Sequence, residues 1–366
     1  MGLARVVCFY VGCFGIVWGV WLRAAVFHGP GNLRVMDVGR PSPGRGEVLV
    51  RTFVTLTCGT DLKMFLRGHP YARPPVIMGH EFAGVVVEVG EEVDWVNVGE
   101  EVVAANSAPC GYCIYCKLGR FNLCENLGET IIGFSVDGAY AEYIKLPRRI
   151  VTFNLYRLPK GLEPRVAALL EPLACVVRGQ RLIHIDVGDA VAVVGAGPIG
   201  LLHMLLSRLS GARKVIVLDV NWNRLRFASE LGADIVVNSG EEDARKRVLE
   251  ETGGIGADVV IEAVGLPETW ETALTLVRKG GTVLFFGGPP GGTKLTADTH
   301  TIHYGELSLH GSFHHTPQDV VRALRLLESK KLPFEKLITG EARLEDIHRV
   351  FEDLRQGKHI KVAIKS

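Results

Sequence analysis

The sequence lacks an excess of charge of either sign, because 41 Lys and Arg residues balance 40 Asp and Glu residues and leave a net charge of +1. Without a strong overall field the chain offers no general attraction for nucleic acid or an anionic membrane, and we predict neither as a partner. Internal repeats and low-complexity stretches are lacking too. The composition is 47% hydrophobic and 22% charged, which is typical of a folded globular protein. A length of 366 residues predicts two domains.

Cysteine is scarce outside one short segment, Cys110–Cys124, which holds four of the eight cysteines. A chain of this length does not need disulfides in order to fold. The clustering therefore favours metal binding in a reducing compartment, and we predict a cytoplasmic protein.

One long hydrophobic run departs from this composition. The run Val6–Leu22 carries no charge and is flanked by Arg5 and Arg23. It is short for a membrane span and has no clear cleavage site, so two interpretations remain: an anchor or signal segment, or a start placed upstream of the true one. We treat residues 1–21 as an extension, since the first strand of the globular body is predicted to begin at Leu22.

Two hydrophobic patterns divide the remaining chain. Residues 24 to about 150 contain short Val- and Gly-rich runs between turn residues, which predicts a mostly β region. From near Ile185, continuous apolar runs such as AVAVVG and KVIVLD alternate with helical segments, which predicts an α/β domain with a doubly wound parallel sheet. Gly211, Gly232 and Gly280 are predicted to follow helix ends. Residues from about 313 onward are predicted to return to the first domain.

A glycine-rich motif follows the first of these buried strands and opens a helix. Its residues are Gly195, Ala196, Gly197, Pro198, Ile199 and Gly200. The glycines permit a tight turn, a close backbone approach to a pyrophosphate and close helix packing, which is typical of a dinucleotide (Rossmann) site. Asp219 ends the next strand, where an acid accepts the ribose hydroxyls and favours NAD over NADP. Arg224 lies one turn further on and would weaken that preference.

Two groups of metal-ligating residue types stand out. Cys110, Cys113, Cys116 and Cys124 can close a tetrahedral shell, which predicts a structural zinc, although spacing alone does not separate zinc from an iron–sulfur cluster. The second group is dispersed and is formed by Cys58, His80, Glu81 and Glu171. A thiolate, an imidazole and a carboxylate leave one open position, as catalytic zinc sites do.

The sequence around His80 resembles the zinc signature of medium-chain alcohol and polyol dehydrogenases. The matching positions are Gly79-His80-Glu81-x2-Gly84-x5-Gly90-x2-Val93, together with the four-cysteine segment, Gly138-Ala139-Tyr140-Ala141-Glu142-Tyr143 and the nucleotide motif. The resemblance implies a GroES-like catalytic domain (residues 22–173 and 313–366) and a Rossmann NAD-binding domain (residues 174–312). It further implies two zinc ions per chain and a homodimer or homotetramer.

Position by position, the resemblance assigns roles to the dispersed group. Cys58 and His80 ligate the catalytic zinc, either Glu81 or Glu171 is the third ligand, and Asp61 orients His80. Thr60 binds the substrate oxygen and starts the proton path. The pair Cys58-Gly59-Thr60-Asp61 and Glu171-Pro172-Leu173 is similar to the sorbitol, threonine and butanediol dehydrogenase branch.

This branch implies hydride transfer from a secondary alcohol, such as a polyol or vicinal diol, to NAD. A threonine or sugar dehydrogenase on the same scaffold is the first alternative, and a non-catalytic or quinone-binding relative is the second. Two departures bear on the substrate: Lys63 stands where the branch often has His, and His314 and His315 stand where sorbitol dehydrogenases usually have Arg-Tyr. The two histidines either contact a polyol or belong to packing.

Overall fold

The computed structural model describes residues 21–366, which divide into two compact units. The first unit combines residues 21–171 with residues 316–366, and the second is the continuous stretch 172–315. The hydrophobic extension predicted for residues 1–21 lies outside the described residues except for its last position. Within residues 21–366, no helix has the length and apolar character needed to cross a membrane.

The strands are numbered in chain order. They are β1 (Trp21–Gly29), β2 (Asn32–Gly39), β3 (Val48–Leu56), β4 (Val76–Ile77), β5 (Glu81–Val89), β6 (Glu101–Ala104), β7 (Tyr143–Leu146), β8 (Leu155–Arg157), β9 (Ala190–Val194), β10 (Lys214–Asp219), β11 (Ile235–Asn238), β12 (Ala257–Glu262), β13 (Val277–Phe285), β14 (Ser308–Gly311), β15 (Ile338–Arg343) and β16 (Lys361–Lys365).

The α-helices are numbered in the same way. They are α1 (Gly59–Arg67), α2 (Ile114–Lys117), α3 (Arg148–Phe153), α4 (Pro164–Ala167), α5 (Leu170–Gln180), α6 (Pro198–Leu209), α7 (Trp222–Leu231), α8 (Ala244–Glu251), α9 (Pro267–Leu276), α10 (Thr299–Tyr304), α11 (Pro317–Ser329) and α12 (Ile347–Arg355). Short 3-10 turns cover Phe121–Leu123, Leu127–Glu129, Phe334–Leu337 and Leu344–Asp346.

The first unit is mostly β, as the sequence predicts. Its larger sheet runs β15-β16-β3-β5-β6-β8, with β7 also paired to β3, and a smaller sheet runs β2-β1-β4. Valines and aromatic residues fill the space beneath the larger sheet, among them Val50, Phe82 and Val102, all of them fully buried. The burial of these side chains removes apolar surface from water and is the main favourable contribution to folding of this unit.

Three strand ends meet at one place in this sheet. Leu56, the last residue of β3, pairs with Glu81, the first residue of β5. Leu56 also pairs with Ala363 of β16, which belongs to the C-terminal segment. The register therefore brings the residues after β3, before β5 and at the start of β16 together, although they are far apart in the sequence.

The second unit is a six-stranded parallel sheet in the order β11-β10-β9-β12-β13-β14. All five residues of β9 are buried, as required of a central strand covered on both faces. The strand order reverses between β9 and β12, which creates the crevice where such folds bind nucleotides. The predicted doubly wound Rossmann sheet is confirmed.

The glycines predicted to follow helix ends were assigned correctly in two cases of three. Gly232 caps α7 in the left-handed region with φ of 113°, and Gly211, with φ of 108°, lies two residues after the end of α6 at Leu209. The prediction for Gly280 was wrong, because α9 ends at Leu276 and Gly280 lies inside β13. Its φ of 69° shows that a glycine-dependent turn also occurs within an irregular strand.

Candidate active site

The segment after β3 is shaped by a hydrogen-bonded cap at the start of α1. Cys58 is the N-cap residue, and its sulfur accepts a hydrogen bond from the Thr60 backbone N–H at 3.4 Å. In return, the Asp61 carboxylate accepts the Cys58 N–H at 3.1 Å. This reciprocal arrangement satisfies two backbone donors at the helix start and fixes the positions of the Cys58 sulfur and the Asp61 carboxylate relative to each other.

Cys58, His80 and Glu81 form a compact group of potential metal ligands. One ligand atom from each lies within 4.8 Å of the others. His80 is 3% exposed and Glu81 is fully buried. The pairing of Leu56 with Glu81 accounts for the proximity, because Cys58 follows β3 as His80 precedes β5. One sulfur, one ring nitrogen and one carboxylate are a donor set that suits zinc.

Asp61 lies between His80 and a buried tyrosine. Asp61 Oδ1 is 3.1 Å from His80 Nδ1, and Asp61 Oδ2 accepts a hydrogen bond of 2.7 Å from the Tyr140 hydroxyl. Among the described residues, neither Oδ1 nor Nδ1 makes a well-aligned hydrogen bond. Asp61 thus places a carboxylate oxygen beside His80 Nδ1, the kind of contact by which a carboxylate orients a metal-binding histidine.

The charge state of His80 reflects its neighbours. Burial opposes the protonated ring, but the Asp61 carboxylate and then the Cys58 sulfur outweigh burial and raise the pKa of His80 well above its usual value. A proton therefore competes with any metal for this imidazole, and metal binding must displace it.

Glu81 is held by a buried lysine that sequence reasoning missed. The Lys361 ammonium donates to Glu81 Oε1 at 2.7 Å, to Glu81 Oε2, and to the Thr57 carbonyl at 3.0 Å. Lys361 is 1% exposed. Burial lowers the pKa of Lys361, but the Glu81 carboxylate outweighs burial and raises the pKa above its usual value, so the ammonium stays charged. The sequence offered no signal for this contact, because a lysine near a strand end usually points to solvent.

The other predicted residues of this group lie on two helices. Glu171 is in the first turn of α5, is 6% exposed, and contributes to the raised pKa of Lys361. Thr60 is half-buried in the first turn of α1, and Lys63 is exposed on the same helix. Glu81 and Glu171 thus both act on the environment of Lys361, but Glu81 alone of the two belongs to the compact group with Cys58 and His80. The choice of third ligand between them stays a prediction.

The four clustered cysteines converge. One sulfur atom from each of Cys110, Cys113, Cys116 and Cys124 lies within 4.8 Å of the others. Backbone N–H groups point at the sulfurs: the Cys110 N–H donates to Cys124 Sγ at 3.3 Å, and the Cys113 N–H donates to Cys110 Sγ at 3.4 Å. Such donors stabilise thiolates, so the loop is built to hold a cation with four sulfur ligands.

The four thiols are not equivalent. Burial raises the pKa of Cys110, but hydrogen bonds from the backbone of Tyr112 and Cys113 outweigh it and bring the pKa to about 6. Burial raises the pKa of Cys116 to about 12. A bound cation is therefore needed to deprotonate the complete set, because coordination removes the proton from a thiol outright.

The three glycines of the nucleotide motif differ in whether the fold itself requires glycine at their positions. Gly195 has φ of 105°, and a Cβ at Gly200 would lie 1.7 Å from the Gly195 carbonyl oxygen, so both positions require glycine for the fold itself. A Cβ at Gly197 would meet no protein atom within 4 Å, and its φ of −75° suits any residue. Gly197 is the N-cap of α6, with Pro198 and Ile199 following and both half-buried.

Asp219 ends β10 beside this motif. Its Oδ2 accepts the Ala196 N–H at 2.8 Å and its Oδ1 accepts the Asn221 N–H at 2.9 Å. Arg224 Nη1 is 4.0 Å from Asp219 Oδ2. The carboxylate thus fixes the glycine turn, and its negative charge lies at the end of the strand, close to the Arg224 guanidinium.

His314 and His315, at the end of the second unit, stack on each other with ring centroids 4.1 Å apart. His315 is 3% exposed, and burial, followed by the neighbouring His314, lowers its pKa well below its usual value. A neutral, buried ring favours a packing role for His315. His314 is half-buried, and its role, substrate contact or packing, stays a prediction.

Comparison with protein-family models and curated proteins decides the family. An alcohol dehydrogenase GroES-like domain matches residues 44–159, and a zinc-binding dehydrogenase domain matches residues 198–329. L-threonine 3-dehydrogenase of Pyrococcus horikoshii is 37% identical over 90% of this chain and 93% of its own length. The chain belongs to the zinc-binding dehydrogenases. Sorbitol dehydrogenase of Halalkalibacterium halodurans is 34% identical, over 92% of this chain and 96% of its own.

Solved structures agree with this assignment to the zinc-binding dehydrogenases. The alcohol dehydrogenase from Thermus sp. ATN1 is similar with a TM-score of 0.85 and 31% identity, over 94% of this chain and 99% of its own. The 2R,3R-butanediol dehydrogenase from Bacillus subtilis is similar with a TM-score of 0.84 and 28% identity, over the same shares. The predicted GroES-like and Rossmann domains are confirmed, and so is an oxidoreductase that acts on alcohols.

Family membership also bears on the predicted metal and on the second alternative. The four-cysteine group fits the structural zinc of a zinc-binding dehydrogenase, which favours zinc over an iron–sulfur cluster. The relatives include proteins named L-threonine 3-dehydrogenase and sorbitol dehydrogenase, so the non-catalytic alternative is set aside.

Proposed function

We propose that this chain oxidises a secondary hydroxyl of a small polyol or vicinal diol, with NAD as the hydride acceptor. The observation that carries the proposal is the compact Cys58–His80–Glu81 group. Relatives named for sorbitol, xylulose and butanediol support the substrate class. In this proposal residues 22–173 and 313–366 form the catalytic domain and residues 174–312 form the NAD-binding domain, within a cytoplasmic homodimer or homotetramer.

Cys58 and His80 hold the catalytic zinc, and Glu81 is the third ligand favoured by proximity. Zinc supplies Lewis-acid polarisation of the substrate hydroxyl when it is bound. Asp61 fixes the orientation of His80 through Nδ1. Thr60 receives the substrate proton at its hydroxyl oxygen and passes it toward solvent. Lys361 limits the freedom of Glu81, since both carboxylate oxygens already face the ammonium.

Glu171 is the alternative third ligand. Replacing Glu81 and Glu171 one at a time tests which of the two carboxylates binds the zinc. We expect Glu81→Gln to lower the catalytic zinc content and Glu171→Gln to leave it unchanged. Glu163→Gln, which alters an exposed acid paired with Arg165, is the control for loss of a carboxylate. Zinc is counted by mass spectrometry of intact protein and by elemental analysis. The reverse result assigns Glu171 as the ligand and Glu81 as the partner of Lys361 alone.

NAD preference is proposed from Asp219, whose charge repels a 2′-phosphate. Gly197 supports binding of the pyrophosphate. No protein atom lies within 4 Å of the point where a Cβ would stand, so the space beside the Gly197 backbone is available to a ligand. Arg224 acts in the opposite direction, and a structural relative from Sinorhizobium meliloti is described as bound to NADP. We expect a higher kcat/KM with NAD than with NADP on one substrate; a higher value with NADP would reverse the assignment.

The activity is tested by the absorbance of NADH at 340 nm with a panel of polyols, 2,3-butanediol, threonine and simple alcohols. We expect turnover of a vicinal secondary alcohol, lost in Cys58→Ser while the four-cysteine zinc is retained. No turnover of any panel member by protein with both zinc sites filled overturns the proposal.

Threonine is a second candidate substrate, favoured by the 37% identity to L-threonine 3-dehydrogenases. The same panel distinguishes the two, because a threonine dehydrogenase would oxidise threonine with a far higher kcat/KM than a polyol.

A further inference from the structure

Tyr140 is a fully buried tyrosine whose hydroxyl reaches the zinc-site histidine through one intervening side chain. We infer that the Tyr140 hydroxyl is a positioning group that locks Asp61, and through it His80, in the orientation needed for metal binding. The inference rests on the proposed function. It extends the His80–Asp61 contact by one residue, because Tyr140 donates to the Asp61 carboxylate that faces His80. Tyr140 is 0% exposed, and its hydroxyl lies 2.7 Å from Asp61 Oδ2.

The direction of the hydrogen bond follows from the surroundings of the phenol. The hydroxyl carries a single hydrogen, and its two acceptors are Asp61 Oδ2 at 2.7 Å and the Leu56 carbonyl at 3.4 Å. The carboxylate is nearer and charged, so it receives the hydrogen. Burial, and then the Asp61 charge, raise the pKa of Tyr140 well above its usual value, so the phenol remains a donor.

Asp61 is consequently held through Oδ2, which leaves Oδ1 facing His80. Oδ2 receives the Tyr140 hydroxyl and the Cys58 N–H, while Oδ1 faces His80 Nδ1. The N–H bond alone ties Asp61 to the start of α1, and the phenol ties it to a different segment of the chain. Without the Tyr140 hydroxyl, the buried Asp61 carboxylate would keep only the hydrogen bond from the Cys58 N–H and could rotate about it.

The Tyr140 ring is itself fixed against the residue before His80. A Cβ at Gly79 would lie 2.7 Å from the Tyr140 nitrogen and 2.8 Å from the ring, so the Gly79 backbone packs directly on Tyr140. The Tyr140 N–H also donates to the Met78 carbonyl at 2.8 Å, and its carbonyl accepts the Ala25 N–H at 2.9 Å. The Tyr140 backbone and ring are therefore packed and hydrogen-bonded against the chain leading into His80, which fixes the phenol relative to that histidine.

The test replaces only the hydroxyl, with Tyr140→Phe in the full chain carrying both zinc ions. We expect the affinity of the catalytic zinc, measured by competition with a chromophoric chelator, to fall about 10-fold, as is typical of outer partners of zinc histidines. The absorption spectrum of protein with Co²⁺ in the catalytic site should shift, because the imidazole orientation changes. The affinity of the four-cysteine site should not change.

Tyr156→Phe is the matched control, since the Tyr156 hydroxyl donates to the Phe153 carbonyl at 3.1 Å and contacts none of the proposed ligands. It should leave the chelator competition and the Co²⁺ spectrum unchanged. Melting followed by far-UV circular dichroism checks that both variants are folded. The retained ring fills the original space, so Tyr140→Phe should melt close to the control.

A double-mutant cycle with Asp61→Asn separates a positioning role from a merely structural one. If Tyr140 acts through Asp61, Tyr140→Phe should change zinc affinity little in the Asp61→Asn background. An undiminished effect in that background, or unchanged affinity and spectrum in Tyr140→Phe alone, overturns the inference. An unaltered protein that binds only the four-cysteine zinc instead overturns the proposed function, and the inference falls with it.

Discussion

At the scale of single residues, the least expected side chain is Lys361. A lysine at a strand end predicts an exposed ammonium, yet Lys361 lies in the interior against Glu81. The contact joins residues 280 positions apart, so no local pattern could have revealed it. The proximity of Cys58 to His80 came from resemblance rather than from local pattern, since neither residue alone is distinctive. The glycine motif was predictable because its requirements are local.

In the zinc-free chain, removal of the Lys361 charge is expected to leave the buried Glu81 carboxylate without its cationic partner. We predict that Lys361→Met lowers the free energy of unfolding by about 3–5 kcal/mol, measured by urea denaturation. Lys365→Met is the control on the same strand, because Lys365 pairs with Glu341 at the surface, where such pairs contribute about 0–1 kcal/mol. Equal losses in the two variants would contradict the buried ion pair.

Gly197 and Gly200 are expected to respond differently to alanine. Gly200→Ala places a Cβ against the Gly195 carbonyl and should destabilise the chain by about 1–3 kcal/mol. The Cβ that Gly197→Ala introduces meets no protein atom within 4 Å, so the melting temperature of this variant should be unchanged. Its dissociation constant for NADH, measured by fluorescence titration, should rise at least ~10-fold, equivalent to about 1.4 kcal/mol. Unimpaired NADH binding by Gly197→Ala would show that the space is not used by the cofactor.

At the scale of elements, the parallel sheet of the second unit is tied at the amino ends of its central strands by one carboxylate. Asp258, near the start of β12, accepts the Ala190 N–H of β9 at 2.7 Å and the Arg278 guanidinium of β13 at 2.6 Å. Hydrophobic runs predicted these strands, because buried parallel strands need continuous apolar residues. The carboxylate tie was not predictable, since it depends on which strand ends become neighbours.

The tie predicts a pH-dependent contribution to stability. Burial opposes the ionised form of Asp258, but the Ala190 N–H and Arg278 outweigh it and lower its pKa. A lowered pKa in the folded state adds stability above the usual pKa of aspartate, and this stability is lost as the pH falls. We expect Asp258→Asn to cost about 1–2 kcal/mol at pH 7 and progressively less as the pH falls below the usual pKa of aspartate.

Urea denaturation of Asp258→Asn and the unaltered chain at several pH values measures this difference. Glu163→Gln serves as control, because its surface pair with Arg165 should contribute about 0–0.5 kcal/mol at either pH. A cost for Asp258→Asn that does not shrink in acid would contradict the proposed charge effect.

At the scale of the whole molecule, the four-cysteine loop is anchored to the first unit by side chains outside the metal shell. Arg149 of α3 donates to the Ala108 carbonyl at 2.9 Å and the Asn126 carbonyl at 2.6 Å, on either side of the loop. The cysteine spacing predicted the metal site, whereas the arginine clamp required the tertiary structure. Metal and clamp act on different parts of the loop, so loss of the metal need not unfold the sheets.

We accordingly predict that Cys113→Ser loses one zinc and loosens the loop while both sheets persist. Hydrogen exchange measured by mass spectrometry should speed up for peptides covering the loop and remain unchanged for β9 and β12. Far-UV circular dichroism should change little. Global loss of protection would instead make this zinc a requirement for folding of the first unit.

The distance along the chain between Glu81 and Lys361 has a consequence for biosynthesis. The second unit is one uninterrupted stretch, whereas the first is built from segments on either side of it. Domains fold as units while the ribosome synthesises them, so the nucleotide unit can fold as soon as it emerges. The metal-site unit must wait, with Cys58, His80 and Glu81 already exposed, until the strand carrying Lys361 arrives. During that interval the nascent thiol and imidazole are open to the metal ions of the cell before the fold can select among them.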